Sequence, residues 1–90
     1  MFKLAETMDD VIDLLPMFQD FHSVSGYAQE IPWDEDCVVA TGMRCIDDGF
    51  ILYNDHCFLA AMIYEHPFND TVRLCGEIGF WVAPHMRRVS

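Results

Sequence analysis

The chain has 90 residues, 52% of them apolar and 13% aromatic, and 15 acidic residues outweigh 5 basic ones for a net charge of −10 at pH 7. That length allows one domain that buries roughly 60–65% of its unfolded surface, and that apolar content excludes a disordered chain. The negative charge excludes full-surface binding to nucleic acid or to an anionic membrane, because affinity for phosphate needs clustered Lys and Arg.

Three of the five basic residues, Arg73, Arg87 and Arg88, fall in the last eighteen positions, so a small anionic ligand at the C-terminal end stays open. The longest apolar run, Cys57 to Tyr64, is far short of the ~20 residues that span a bilayer, and the first ten residues lack the pattern of a signal peptide. A soluble, cytoplasmic protein is expected. Cys37, Cys45, Cys57 and Cys75 form no C-x-x-C pair and have no ligand spacing with His22, His56, His66 or His85. They are expected to be small buried hydrophobes, with no metal site.

Phe2 to Glu6 alternates as a first strand. Thr7 with Asp10 three residues on marks a helix start, and Val11, Leu14, Leu15, Phe18 and Phe21 or His22 recur at helical spacing. Pro16 interrupts that helix, which is predicted to end between Ser23 and Gly26 with Gly26 as its C-terminal cap. Ser25 to Trp33 reads as a loop. Asp34 caps a second helix whose buried stripe is Val38, Val39, Gly42, Cys45 and Ile46, ended by Asp47 to Gly49. The period then changes to two: a strand over Phe50 to Tyr53, a turn over Asn54 to His56, and a returning strand over Cys57 to Glu65. After a connection over His66 to Thr71, the longest strand covers Val72 to Ala83 and Pro84 ends it. Strict alternation puts Glu77, Gly79 and Trp81 on one of its faces and Ile78, Phe80 and Val82 on the other. The order β-α-α-β-β-β predicts an α+β fold, a mainly antiparallel four-stranded sheet packed by two helices.

This order, with the segments "DFHSVSGY", "DGFILYND", "MIYEHPFND" and "GEIGFWVAPHMRR", resembles the N-terminal half of the GNAT acetyltransferase superfamily, most of all its small phage and bacterial members. The resemblance covers essentially all 90 residues but only about the first half of the family domain, and so implies a single truncated domain lacking the third helix and later strands. It implies an acyl-CoA N-acyltransferase that moves an acetyl group from acetyl-CoA to a primary amine or lysine. In the family the fourth strand leads into a Q/R-x-x-G-x-G/A turn, where backbone N–H groups at a helix N-terminus cradle the cofactor pyrophosphate. Arg87 matches the first position of that turn, and Ser90 falls where its first glycine belongs.

Glu77 is a charged residue within an apolar strand, costly to bury unless paired or functional. The resemblance gives it the role of taking the proton of the acceptor amine. The alternatives are a pair with Arg73 or an exposed position on an uncovered sheet. Phe80, Trp81 and Val82 are implied to hold the acetyl carbonyl and pantetheine through their backbone, Arg87, Arg88 and Ser90 to meet the pyrophosphate, and Tyr27 and Trp33 to contact the acceptor. His22 and His66 are further acid/base candidates, and Cys75 is expected in the core. The second hypothesis is a non-catalytic acidic module that docks on a basic partner protein. Either way, an uncovered sheet face and an open strand edge imply self-association or a partner chain.

Overall fold

The computed structural model describes residues 1–26 and 28–86. Helix α1 (Met8–Val24) starts on a reciprocal cap: the Thr7 hydroxyl oxygen accepts the Asp10 N–H at 3.3 Å, while the Asp10 carboxylate accepts the N–H groups of Glu6 at 2.8 Å and Thr7 at 3.1 Å. Those two N–H groups favour the charged carboxylate and hold Asp10 below its ordinary range. Pro16 sits inside the helix without ending it. The ring lies on the exposed side of α1, where the loss is one bond to the Ile12 carbonyl, and the helix runs on to Val24. Its C-cap is Ser25, not Gly26: Ser25 is extended at φ −72° and ψ 154°, and its N–H and hydroxyl donate to the His22 carbonyl at 3.2 and 2.7 Å. No described glycine has the positive φ that a left-handed cap requires.

Helix α2 (Glu35–Asp48) starts on Asp34, whose carboxylate accepts the Cys37 N–H at 3.1 Å. Gly42 and Cys45 of its predicted stripe are buried, and Val38, Val39 and Ile46 pack half-buried against the same core. Strands β1 (Lys3–Leu4), β2 (Gly49–Tyr53), β3 (Cys57–His66) and β4 (Asn69–Val82) form one antiparallel sheet in the order β1-β2-β3-β4. The α+β order read from the sequence is therefore the observed one.

Strand boundaries differ in instructive places. The first strand pairs over two residues rather than Phe2 to Glu6, with Ala5 N–H adding one bond to the Ile51 carbonyl at 2.9 Å. Asn54 closes the first hairpin turn by accepting the N–H groups of His56 at 2.8 Å and Cys57 at 3.0 Å. The second connection is shorter than His66 to Thr71, with only Pro67 and Phe68 between the strands. His66 Nδ1 accepts the Phe68 N–H at 3.0 Å, and Asn69 Oδ1 accepts the Thr71 N–H and hydroxyl at 3.1 and 2.7 Å. These side-chain acceptors let β4 begin at Asn69, three residues before the predicted Val72. Because β2 pairs only with Phe58 to Met62, the β3–β4 ribbon projects beyond it, ending at an exposed Phe68.

Both helices cover the same face of the sheet. Val11, Leu14 and Phe18 of α1 and Cys45 of α2 meet Ile51, Phe58, Ala60 and Trp81 of the sheet. The opposite face stays open: Leu4 (56%), Ile63 (40%) and Phe80 (55%) are all substantially exposed. The predicted alternation along β4 does not survive. Ala60 pairs with Gly79 and Ala61 with Glu77, so Ile78 is an extra residue, a β-bulge. The bulge puts Glu77 on the open face with Phe80 and Val82, opposite Gly79 and Trp81, where strict alternation had placed it with them.

Charge is divided along the sequence. Eleven of the fifteen acidic residues lie from Glu6 to Asp48 against Arg44 alone, so this helical segment carries the entire net charge of −10. The other four acids are balanced by Lys3, Arg73, Arg87 and Arg88.

Gly49 joins the two layers, as the C-cap of α2 and the first residue of β2. A Cβ there would collide with the Ala61 carbonyl oxygen and lie 2.7 Å from Met62 Cα, both backbone atoms that cannot turn aside. Gly49→Ala should therefore lower the unfolding free energy by about 2 kcal/mol in urea titration, and an unchanged midpoint would contradict the packing.

Candidate functional site

An apolar cleft of about 200 Å³ opens between the C-terminal half of α1, the first turns of α2 and the sheet. Its walls include Phe18, Phe21, Trp33, Phe58 and the bulge residue Ile78. Phe58 anchors them, with Phe18 and Phe21 meeting it edge to face at centroid distances of 4.7 and 5.7 Å. The bulge brings Ile78 to the rim of this cleft, although its neighbour Phe80 faces the other side.

The polar lining is sparse. His22 Nε2 donates to the Ile31 carbonyl at 2.6 Å, which fixes the proton on that nitrogen, and the imidazole meets Trp33 edge to face at 5.7 Å. This bond draws the inter-helix loop over the end of α1, so His22 positions Trp33 at the cleft. The Cys37 thiol and the Thr41 hydroxyl complete the polar part. None of the described lining residues carries a carboxylate, ammonium or guanidinium.

The cleft lies beside an open strand edge. Ala83 donates to the His56 carbonyl at 2.7 Å, so Trp81 and Gly79, two and four residues back, also aim their backbone groups at β3. Phe80, in alternate register, aims its backbone groups away from β3, along the edge that β4 forms among the described residues. Trp81 itself is buried under α1, and its Nε1–H has no acceptor among the described residues. A buried indole N–H without an acceptor is uncommon.

The predicted site residues thus separate into groups. Glu77, Phe80 and Val82 share the open face, with Glu77 exposed. Trp33 and His22 stand on the helix-covered face at the cleft. Across the strands Arg73 faces Glu65, not Glu77. His66 is absorbed into its turn. Tyr27, Arg87, Arg88 and Ser90 lie outside the described residues. The sequence reading missed Phe21, Cys37, Thr41 and Ile78 as cleft residues. Gly76 and Gly79 within the strand were the available sign of a bulge, and the Cys37–Thr41 spacing placed both on one side of α2.

Two cysteines also depart from expectation. Cys45 is buried, and desolvation pushes its thiol above the ordinary range, whereas Cys37 and Cys75 are exposed. Cys37 is carried on the first turn of α2 at the cleft, and Cys75 points to the sheet face that no described helix covers. Among the described residues no three His, Cys, Asp or Glu side chains gather as a metal site, and no helix is long and apolar enough to cross a membrane. Comparison with protein families, with curated proteins and with solved structures gives no match.

A small thiol reagent should label Cys37 and Cys75 in the folded protein and Cys45 only on unfolding, as read by mass spectrometry of timed digests. Labelling of Cys45 as fast as Cys37 in native buffer would contradict this burial pattern.

Proposed function

We propose that this chain carries the cofactor edge and acceptor cleft of a GNAT-type N-acetyltransferase, which moves acetyl from acetyl-CoA to a primary amine. The reading rests on the sequence resemblance. The observation that supports it best is the bulged edge strand, whose Phe80 backbone points off the sheet beside the cleft holding Trp33. The pantetheine arm of coenzyme A is an extended chain with two amides, and an open strand edge is the backbone arrangement that pairs with such a chain. Acetyl-CoA supplies the activated acyl group. The Phe80 backbone orients it, and Trp33 borders the entry of the amine. The amine nitrogen forms its bond to the acetyl carbon as the carbon–sulfur bond breaks, and the thiolate leaves. Glu77 directly precedes the bulge residue Ile78 and faces the side of the sheet away from the cleft, so it receives the amine proton through water that passes around the strand edge.

Backbone and side-chain contributions at Phe80 separate cleanly. Proline is tolerated where an edge-strand N–H faces away from the ladder, so Phe80→Pro removes one outward donor and Phe80→Ala keeps it. In calorimetric titration with acetyl-CoA, Phe80→Ala should bind within a few-fold of the parent and Phe80→Pro about tenfold more weakly or not at all. Equal binding by both variants would remove the edge from the reading. No heat and no thermal shift for the parent at millimolar acetyl-CoA would overturn the reading itself.

The charge division favours a second reading, an acidic module whose helical layer docks on a basic partner. Salt-sensitive binding to a basic protein, with no response to acetyl-CoA, would favour it over the first. Under either reading the open face, with Leu4, Ile63 and Phe80 exposed, suits a second copy of the chain. Its charged positions are Glu65, Arg73 and Glu77, so two such faces meet with little repulsion while both acidic helical layers point outward. Light scattering at high micromolar concentration should show a dimer that Ile63→Asp returns to monomer, and a monodisperse parent monomer would count against it.

A further inference from the structure

We infer that the cleft between α1, α2 and β4 binds a small aromatic ammonium ion: one ring on a short alkyl chain that ends in a primary amine. The inference deepens the acyl-transfer reading, on which only its turnover arm rests. Size comes first. About 200 Å³ is less than the roughly 300–1,000 Å³ of sites for drug-sized ligands, so the occupant is a single ring with a short chain.

The nature of the walls comes second. Phe18, Phe21 and Phe58 already pack edge to face, and a further ring entering beside Phe21 and Trp33 continues that pattern, which a linear aliphatic group cannot. Among the described lining residues there is no carboxylate, ammonium or guanidinium to neutralise a buried charge. A charged end must therefore stay at the mouth, where water reaches it.

The sign of that charge follows from the surroundings. Asp34, Glu35 and Asp36 are exposed at the start of α2, next to the cleft residue Cys37. Asp20 precedes Phe21 on α1, and Glu30 lies in the loop before Trp33. From Glu6 to Met43 there is no Lys or Arg to offset them. Their combined potential attracts a cation to the mouth and repels an anion. Trp33 lines the cleft, and an ammonium that reaches its ring gains a further attraction.

Three probes separate ring from charge by calorimetry on the parent protein. 2-Phenylethylammonium has both features, ethylammonium has the charge without the ring, and phenylacetate has the ring with the opposite charge. The first should bind about tenfold or more tightly than either of the others, and its affinity should fall as salt rises. Equal affinity for all three, or no binding of 2-phenylethylammonium at millimolar concentration, overturns the inference. Thr41→Phe, which fills the cleft from α2, should abolish binding, and Trp33→Ala should weaken it several-fold while circular dichroism shows both variants folded. If Thr41→Phe does not fold, amide chemical-shift changes in the parent decide: changes centred on Phe21, Trp33 and Cys37 support the site, and changes centred elsewhere overturn it. Turnover is then read as N-acetylated product by mass spectrometry after adding acetyl-CoA. Binding without product keeps the cleft assignment and rejects the acyl-transfer reading. Acetyl-CoA binding without 2-phenylethylammonium binding does the reverse.

Discussion

The architecture depends on one contact layer, where Val11 and Phe18 of α1 and Cys45 of α2 close on Ile51, Phe58 and Trp81 of the sheet. Among the described residues the largest side chains sealed almost completely are Ile51, Val11 and Cys45, so the core is small. Gly42 makes that core workable, since Val11 packs against it so closely that a Cβ would sit 2.7 Å from Val11 Cγ1. Because all of this lies on one face, the helices leave two features at the border of the layer: the cleft where α1 and α2 diverge over β4, and the bare reverse side of the sheet.

Much of the fold was legible because its signals are local. Thr7 with Asp10 and Asp34 with the Cys37 N–H are caps that compete with nothing else nearby, and the change of period after Gly49 marks the passage from helix to strand. Turn length was less legible. His66 Nδ1 and Asn69 Oδ1 supply acceptors that tighten the β3–β4 turn, and a side chain's choice of backbone partner does not show in composition. Gly26 drew the helix end by its residue type, but the Ser25 hydroxyl satisfied the His22 carbonyl first.

The candidate site was less readable for a physical reason. Alternation assigns faces only while each residue on one strand opposes one on the next, and a single unpaired residue inverts every assignment beyond it. Ile78 is that residue, so Glu77 and Trp81, two positions either side of Gly79, end on opposite sides of the sheet. The cleft was hidden for a related reason. Phe18 and Phe21 read as core from their helical spacing, and they are core side chains that also line a space α2 leaves unfilled. A periodic pattern says which side of an element is apolar, and not whether the opposing element fills the gap.

The separation of charge along the sequence has a consequence for how the molecule meets other bodies. Because the segment from Glu6 to Asp48 carries a charge of −10, the helical layer is the strongly negative side of the described molecule. In the field of a cationic surface such a body rotates before it touches. It arrives helices first, with the strand edge held to one side and the apolar reverse of the sheet turned to the solvent.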